Sequence, residues 1–485
     1  MTRRLTLSQS IYHDLCVSAC RSVGIHSEHD ILEWVSQRTA ANNYSVRIKP
    51  LDQLSGWSID DVSGDLRHHS GKFFQVEGLS VEVKSDVSRS WLQPIINQPE
   101  VGILGFICQE LDGVLHFLVQ AKMEPGNINV TQISPTVQAT RSNYTQVHGG
   151  RRPAFVEFFI DDMPGRHIVL DQLQSEQGTR YLKKRNRNII VVVESGVSIE
   201  LTDDYRWVTL GQLQNLMRFP DLVHLDCRSI IGSISFRGFS GDESDFDYSG
   251  SIGEFQSKLR GSIESKFGRR SSSVVPIHSW ITGLKCKTEI SVLRVPLRDV
   301  SSWSYDCGEI KHISGAFFSI IGVEVTASNR EVPGWSQPLI RATEGGILGL
   351  LCQVRDGVLK FLVQALVEPG LIDILELAPT VQCTPANYLT GIRSELPYLA
   401  DFMMTADSSR IRFDSILSDE GGRFFHTRQR HLVVELSEGD QIAVPENYRW
   451  MTLGQIQHMA SFSNSVNIEL RSILSCLSVA KSDIW

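Results

Sequence analysis

The sequence predicts an α+β protein made of two tandem copies of one module, each a mixed, mainly antiparallel sheet with packed helices. Three observations support this fold class: a long internal repeat, strand-like apolar runs around turn signals, and short segments with helical spacing. The chain has 485 residues, of which 41% are hydrophobic and 21% charged. Such a length exceeds one ordinary core, and such a composition is typical of globular proteins.

The internal repeat sets the domain boundaries. Residues 91–144 align without a gap with residues 335–388 at an offset of 244, and 31 of the 54 positions are identical. Shorter matches extend the repeat in both directions. We therefore expect an N-terminal module at 1–238, a linker at 239–274 that is rich in Gly, Ser and charge at its ends, and a C-terminal module at 275–485.

Several strands can be predicted within a module. The Asp112-Gly113 pair lies between GILGFICQE and GVLHFLVQAKME, a strong signal for a β-hairpin. Residues 72–83 are rich in β-forming residues with partial alternation, and residues 189–194 form a short apolar run. Each is predicted to be a strand.

Three segments have the spacing of apolar residues expected of a helix. The first is TLGQLQNLMRF after Tyr-Arg-Trp, with Thr209 placed to cap it. The second is FDSILSDEGGRFF at 413–425, and the third is EFQSKLRGSIESKF in the middle of the linker.

Charge and cysteine content exclude several classes. A formal net charge of −8 argues against a dedicated nucleic-acid binder. No apolar run approaches the roughly 20 residues that a membrane helix requires, and the N-terminus has no continuous apolar segment typical of a signal peptide. The nine cysteines are scattered without a CxxC pair. We expect a cytoplasmic protein with reduced thiols and no association with a membrane.

Motifs for common cofactors are missing from the sequence. There is no phosphate-binding GxxxxGK[ST], no strand-embedded GxGxxG, no HExxH, no GxSxG and no Cys/His cluster with metal-ligand spacing. The sequence therefore predicts no metal, nicotinamide or pyridoxal cofactor.

The segment from Glu124 to Tyr144 has the residue types of a nucleotide or sugar pocket. Gly126 allows close approach of the backbone, and Tyr144 offers an aromatic face. Neutral hydrogen-bonding groups are supplied by Thr136, Gln138, Thr140, Ser142 and Asn143. A polar turn without ligand contacts is the alternative.

The segment 175–188 concentrates positive charge, in Arg180, Lys183, Lys184, Arg185 and Arg187. Such a cluster suits a diphosphate, although charge runs are more often a solvated helical face. Glu176 and Gln177 beside these cations are candidates for acid–base chemistry or for holding a hydroxyl, with ordinary ion pairing as the alternative.

Two pairs of tryptophans recur in the repeat. Trp57 and Trp303 occupy equivalent positions and could stack on a base, although packing is the commoner role of such residues. Trp91 and Trp335 are predicted to be core residues.

Five strings together resemble the NDP-hexose 2,3-dehydratases: EVGILGF, DGVLHFLVQAKMEPGN, SPTVQATRSNY, SEQGTRYLKKRNRN and YRWVTLGQLQ. The resemblance covers nearly the whole chain outside the linker and the first thirty or so residues. It implies a homodimer of tandem Nudix-like modules without the Nudix box. It also implies a dTDP-linked 4-keto-6-deoxyhexose as substrate, loss of water to give a 3,4-diketo-2,6-dideoxy sugar, and a partner 3-ketoreductase.

The resemblance also implies site residues. The candidates for acid–base catalysis are Glu176, Glu124 and Tyr144, followed by Glu420 and His69. The candidates for holding the nucleotide-sugar in the first module are Trp57, Thr140, Arg141, Ser142, Asn143, Tyr144, Ser175 and Gln177, with Lys184, Arg185 and Asn186 at the diphosphate. Those in the second module are Trp303, Thr380, Gln382, Asn387, Tyr388, Glu420 and Arg423.

The two copies differ within these motifs, so we expect them to be inequivalent. Pro385 and Ala386 replace Arg141 and Ser142, and the second copy lacks most of the cations. Two alternatives to a dehydratase stay open at this point. One is a non-catalytic nucleotide-sugar binding or scaffold protein, and the other is a divergent Nudix-type pyrophosphatase.

Overall fold

The computed structural model describes residues 7–84, 88–145, 152–236, 253–264, 274–328, 332–389 and 395–479. The α+β class is confirmed. The helices are α1 Leu7–Ala19, α2 Glu28–Ala41, α3 Arg141–Tyr144, α4 Glu157–Ile160, α5 Leu210–Leu216, α6 Leu225–Gly232, α7 Glu254–Glu264, α8 Val275–Lys287, α9 Ala386–Leu389, α10 Ala400–Met404, α11 Leu453–Ala460 and α12 Ile468–Ser475. None of these helices is both long and apolar enough to cross a membrane.

The strands fall into an N-terminal and a C-terminal set. The first set is β1 Tyr44–Lys49, β2 Trp57–Ile59, β3 Leu66–His68, β4 Gln75–Lys84, β5 Arg89–Asn97, β6 Gly102–Leu111, β7 Val114–Met123, β8 Thr131–Pro135, β9 Val137–Ala139, β10 Arg166–Ser175, β11 Arg185–Val193 and β12 Tyr205–Thr209. The second set is β13 Glu289–Val295, β14 Trp303–Asp306, β15 Glu309–His312, β16 Phe318–Ala327, β17 Gly334–Ala342, β18 Gly346–Arg355, β19 Val358–Val367, β20 Leu375–Ala378, β21 Val381–Cys383, β22 Ile411–Ser418, β23 Arg428–Leu436 and β24 Tyr448–Thr452.

Each half of the chain contains one large, mixed sheet. Large sheet 1 has the order β10-β11-β6-β7-β12, with β8 beside β7 and β9 beside β6. Large sheet 2 repeats this order as β22-β23-β18-β19-β24, with β20 beside β19 and β21 beside β18. The single parallel pairing in each is β6 with β11 and β18 with β23, while the other pairings are antiparallel.

Two smaller sheets exchange strands between the halves. Small sheet 1 has the order β13-β4-β3-β2 with β5 beside β4, and small sheet 2 has the order β1-β16-β15-β14 with β17 beside β16. Strand β13 comes from the C-terminal half but pairs with β4, and β1 comes from the N-terminal half but pairs with β16. The predicted boundaries at 238 and 275 therefore do not separate the sheets, because each half supplies an edge strand to the other.

Local signals account for several elements. The Asp112-Gly113 hairpin is confirmed, since both residues have positive φ, 51° and 74°, as a two-residue hairpin turn requires. The helix after Tyr-Arg-Trp is confirmed as α5. Its N-cap Thr209 accepts from the Gln212 backbone N–H, and the Gln212 side chain accepts from the Thr209 backbone N–H. The strands predicted at 72–83 and 189–194 correspond to β4 and β11.

One helix prediction is wrong and another is confirmed. Residues 411–418 form strand β22 instead of a helix. Phe413, Ser415 and Leu417 are buried there and alternate with exposed Asp414 and Ile416, which is the period of a strand. The predicted helix in the linker is confirmed as α7, whereas the ends of the linker, 239–252 and 265–273, lie outside the described residues.

The halves interlock through two glycine turns. The Gly126 N–H donates to the Gly421 carbonyl at 2.8 Å, and the Gly126 carbonyl accepts from the His426 N–H at 2.8 Å. Gly370 makes the reciprocal contacts with Gly178 and Lys183, both at 2.7 Å. A Cβ at Gly126 would lie 1.6 Å from the Phe424 carbonyl oxygen. The close backbone approach predicted for Gly126 is confirmed, and its partner is the opposite half.

We expect Gly126→Ala to lower the free energy of unfolding by about 3 kcal/mol or more, because the new methyl group overlaps backbone that cannot move aside. Gly261→Ala is the matched control. Gly261 lies inside α7 with open space around it, so the same change should stabilise the protein by about 0.5–1 kcal/mol. Denaturant unfolding of the full chain measures both. Equal stability of the two variants would contradict the interlock.

Candidate active site

A cavity of about 680 Å³ opens between the two halves, a size that suits a nucleotide-sugar. Its residues come from large sheet 1 and its loops, from small sheet 1, and from the C-terminal half. Large sheet 1, with its loops and helices, contributes Glu100, Lys122, Glu124, Gln138, Thr140, Ser142, Asn143, Glu176, Tyr181, Lys184, Asn186 and Asp226. Small sheet 1 and its loops contribute Trp57, His68, Phe73 and Phe74, and the C-terminal half contributes Trp335, Ser336, Glu420 and Arg423.

Glu176 enters the cavity directly after the last residue of β10. Its backbone N–H donates to the Lys184 carbonyl at 3.1 Å, which closes the turn into β11. The Asn186 side-chain amide donates to Glu176 Oε1 at 2.7 Å, whereas Oε2 is buried without a partner among the described residues. Burial raises the pKa of Glu176, and the nearby cations of Lys184 and Arg471 lower it. The contact with Asn186 thus fixes the orientation of the Glu176 carboxyl.

Lys184 is a buried cation beside Glu176. Its Nζ donates to the Glu100 carbonyl at 2.5 Å. Burial lowers the pKa of Lys184 to about 8, although the Glu176 carboxylate opposes that shift. Ser142 in turn donates to the Glu100 carboxylate twice, from its backbone N–H at 2.9 Å and from its hydroxyl at 3.0 Å. This chain of contacts fixes the polar segment before Tyr144 against the same wall.

Glu124 lies between two donors. Gln138 Nε2 donates to Glu124 Oε1 at 2.9 Å, and His224 Nε2 lies 2.8 Å from Oε2. Because His224 Nδ1 accepts the Asp226 backbone N–H at 3.1 Å as the N-cap of α6, the neutral ring carries its proton on Nε2 and donates it to Glu124. Both oxygens of Glu124 are therefore engaged.

The C-terminal half contributes an acid. The Tyr181 hydroxyl donates to Glu420 Oε2 at 2.8 Å. Burial, followed by the carboxyl of Asp226, raises the pKa of Glu420 to about 8, with Arg423 opposing the rise. Glu420 is therefore protonated at neutral pH and can donate a proton into the cavity.

Aromatic rings form another part of the lining. The Trp57 ring lies 4.9 Å from that of Phe74 and 5.3 Å from that of His68, between centroids. The Trp57 indole N–H donates to the Ser336 carbonyl of the C-terminal half at 2.7 Å. The Arg423 guanidinium lies 4.2 Å above the Phe74 ring. The cavity thus combines a titratable side with an aromatic side.

The sequence of the chain is similar to those of known proteins. The sequence model of one family, described as NDP-hexose 2,3-dehydratase, matches residues 28–234 and again residues 275–477. The chain belongs to the NDP-hexose 2,3-dehydratase family.

Three relatives carry the name dTDP-4-dehydro-6-deoxy-alpha-D-glucopyranose 2,3-dehydratase. The protein from Saccharopolyspora spinosa is 41% identical over 96% of this chain and 93% of its own length. The protein from Amycolatopsis orientalis is 39% identical over 97% and 95%, and the one from Streptomyces violaceoruber is 40% identical over 92% and 95%.

The cavity of this family member brings together ten of the site residues that the resemblance implies. They are Glu124, Glu176, Trp57, Thr140, Ser142, Asn143, Lys184, Asn186, Glu420 and Arg423. Among the residues that the structure describes, five further candidates of the first module do not line the cavity: Arg141, Tyr144, Ser175, Gln177 and Arg185. Tyr144 packs instead against an apolar cluster that includes Val137 and Phe159.

Five candidates of the second module lie outside the lining that the described residues form. Trp303 lies in β14, Thr380 between β20 and β21, Gln382 in β21, and Asn387 and Tyr388 in α9. Thr380 is buried and accepts the Leu351 backbone N–H at 2.8 Å, and Asn387 accepts the Phe317 backbone N–H at 2.8 Å. The contacts that the structure gives these two side chains are therefore structural.

The cation segment does not form one anion site. Lys184 lines the cavity, but Arg187 forms a two-point ion pair with Asp171 at 2.6 and 2.7 Å. The Arg180 guanidinium lies 4.4 Å above the ring of Phe318 in the C-terminal half. Within the described ranges no three His, Cys, Asp or Glu side chains are grouped so that they could hold a metal ion.

Sequence reasoning missed several lining residues, among them Lys122, Tyr181 and Asp226, as well as His224 behind Glu124. Trp335, predicted to be a core residue, is half-buried and lines the cavity. One usable signal was present. Lys122 aligns with Leu366 inside the repeat, so a cation replaces an apolar residue in one copy only. His224 and Asp226 follow the last aligned motif and had no such signal.

We expect Glu420→Gln to flatten the dependence of stability on pH. A carboxyl whose pKa is raised from 4.5 to about 8 on folding stabilises the native state below about pH 4.5, and this contribution is lost as pH rises through about 8. The melting temperature of the unmodified protein should therefore fall more steeply between about pH 5 and about pH 9 than that of the variant. Glu438→Gln, at an exposed position, should follow the unmodified protein. Parallel curves for all three proteins would be inconsistent with a protonated Glu420.

Proposed function

We propose that the protein dehydrates dTDP-4-keto-6-deoxyglucose to dTDP-3,4-diketo-2,6-dideoxyglucose. The observation that carries this proposal is similarity over nearly the full length of three proteins named for this activity. The cavity supports it because its lining includes the buried carboxyl of Glu176, oriented by Asn186, together with the carboxyl of Glu420, whose pKa is raised to about 8.

Glu176 is the proposed base. The C4 ketone acidifies the proton on C3, and Glu176 Oε2 accepts that proton as the C3–H bond breaks and an enolate forms. Burial makes this carboxylate more basic than an ordinary one, and Asn186 fixes its orientation. Of the three acid–base candidates from the sequence, Glu176 is preferred because Glu124 is engaged by two donors and Tyr144 packs in an apolar cluster.

Glu420 is the proposed acid. As the enolate collapses to a C2–C3 double bond, the C2–O bond breaks and the hydroxyl takes the Glu420 proton, leaving as water. The Tyr181 hydroxyl then stabilises the Glu420 carboxylate that remains. The product is an enol at C3, which takes a proton at C2 and loses one from its hydroxyl to give the 3-ketone.

Lys184 and Asn186 lie beside Glu176, so we assign to them the negative charge that develops on the enolate. A well-placed donor of this kind is typically worth about 10²–10³ in rate. We assign Arg423, which lines the cavity from the C-terminal half, to the diphosphate, and Trp57 to stacking on the base. Thr140, Ser142 and Asn143 are assigned to the sugar hydroxyls.

The wider assignments rest on the family. We infer that the two halves derive from one duplicated, Nudix-like module, which the identical strand order of the large sheets supports. We infer further that the protein forms a homodimer and passes its unstable product to a 3-ketoreductase.

The first test is incubation of the protein, treated with EDTA, with dTDP-4-keto-6-deoxyglucose in D₂O, followed by mass spectrometry. We expect loss of one water and deuterium at C2 of a product trapped by a 3-ketoreductase, since C2 is protonated from solvent in the last step. Release of a nucleoside monophosphate would instead indicate a pyrophosphatase. Tight binding without turnover would indicate a binding protein.

We expect Glu176→Gln to lower kcat by about 10²–10⁴, the usual contribution of a positioned base, with dTDP still bound. It should also abolish deuterium exchange at C3 of recovered substrate. Glu420→Gln should keep that exchange, because the enolate still forms. Loss of water from the substrate should be slow, because no acid protonates the leaving hydroxyl. In the unmodified protein kcat/KM should decline below the pKa of Glu176 and above about pH 8, where Glu420 loses its proton.

Glu194→Gln, an exposed carboxylate in the same half, is the control and should match the unmodified protein. Exchange at C3 that survives in Glu176→Gln would remove Glu176 as the base.

A further inference from the structure

Two arginines are completely buried where the halves meet. Arg471, on α12, and Arg228, on α6, have no exposed side-chain surface. The two helices touch at Gly232, where a Cβ would lie 2.0 Å from the Arg471 carbonyl oxygen. Because nothing separates the helices there, each guanidinium can reach a sheet of the opposite half.

Arg471 holds the backbone directly before Glu176. Its Nη2 donates to the Ser175 carbonyl at 2.6 Å, and its Nε donates to the Ser229 hydroxyl at 3.1 Å. Its Nη1 donates to the Val466 carbonyl within its own half. Ser175 is the last residue of β10, so the position of the following carboxylate is fixed from the C-terminal half.

Arg228 makes the reciprocal contact. Its Nη2 donates to the carbonyl of Ser418, the last residue of β22, and its Nη1 donates to the Ser472 hydroxyl at 2.5 Å. Glu420 follows two residues later. In each half, a buried arginine thus donates to the last carbonyl of a strand in the other half. Each of these carbonyls lies one or two residues before an acidic residue of the cavity.

The charge of Arg471 also acts on the Glu176 carboxylate. The other charged and titratable groups that face Glu176 are Lys184 before β11, His224 and Asp226 on α6, Tyr181, and Glu420 of the C-terminal half. Lys184 and Arg471 are the cations that lower the pKa of Glu176 most.

We propose that Arg471 is a positioning residue for Glu176, holding its backbone in place and favouring its ionised form. The proposal rests on the function proposed above. It assigns to the C-terminal half a second contribution to the reaction besides Glu420. Burying a guanidinium costs free energy. The proposal gives a reason for burying that of Arg471, which lies outside the cavity.

The test compares Arg471→Met with Arg471→Lys in steady-state kinetics over a range of pH. The methionine variant loses both the hydrogen bonds and the charge. Its kcat should fall about 10²-fold with little change in KM, as a displaced catalytic group does. The acidic limb, which is the decline of kcat/KM at low pH as Glu176 takes up a proton, should move up by about one pH unit, because Glu176 loses a nearby cation. The lysine variant keeps the charge, so its kcat should fall while its acidic limb stays in place.

Arg228→Met is the matched control, since it removes an equally buried arginine and the equivalent carbonyl contact. It should lower the melting temperature as much as Arg471→Met does, with the acidic limb at the position of the unmodified protein. An acidic limb that is the same in both methionine variants and in the unmodified protein would overturn the proposal and leave Arg471 a purely structural residue.

Ser229→Ala covers the case in which Arg471→Met does not fold. It removes the hydroxyl that accepts from Arg471 Nε, at 3.1 Å, and from the Asn188 side-chain amide, at 3.0 Å, and kcat should still fall with KM unchanged. An unchanged kcat there would overturn the proposal. Turnover of the unmodified protein, measured in the same assay, separates this outcome from failure of the proposed function.

Discussion

The exchange of β1 and β13 between the halves is the constraint on which the cavity depends. Strand β1 pairs along its whole length with β16, and β13 pairs along its whole length with β4. Neither small sheet is complete without the opposite half. The strand pair that carries Trp57 is therefore held against Ser336, and the space between the halves becomes a cavity lined from both sides.

The buried carboxyls of this cavity are costly, and each is stabilised in a different way. Glu124 accepts from Gln138 and His224, Glu176 from Asn186, and Glu420 from Tyr181. Desolvation disfavours the ionised form of all buried carboxyls, so the number of nearby cations and donors decides which one is charged. A cavity with carboxyls in unlike surroundings can hold a base and an acid at one pH.

The corresponding positions of the C-terminal half keep their carboxyls but not their cations. Glu124 and Glu176 align with Glu368 and Asp419, whereas Lys122 and Lys184 align with Leu366 and Thr427. Burial and a neighbouring carboxyl, that of Glu376, raise the pKa of Glu368 to about 7. Without a buried lysine, a carboxylate there has less to stabilise its ionised form.

Local signals in the sequence were sufficient for elements that depend on a few adjacent residues, such as the Asp112-Gly113 turn and the helix capped by Thr209. They failed for 413–425, where Phe413, Leu417 and Phe424 fit a helical spacing but the burial of Phe413, Ser415 and Leu417 follows a strand. Nothing in Tyr44–Lys49 specifies that its partner lies near residue 325, because strand pairing is decided by tertiary packing.

The same limit applies to the site. Glu176 and Lys184 were singled out by their residue types, Trp57 by the repeat and Asn186 by the family resemblance, and all four line the cavity. The sequence could not place Glu420 beside them. That placement follows from the strand exchange and from the contact of α6 with α12 at Gly232. If Glu420 and Glu176 are acid and base, their separation is set by the packing of the two halves and not by either sheet alone. A substitution at the contact between α6 and α12 can therefore alter the reaction without touching a residue of the cavity.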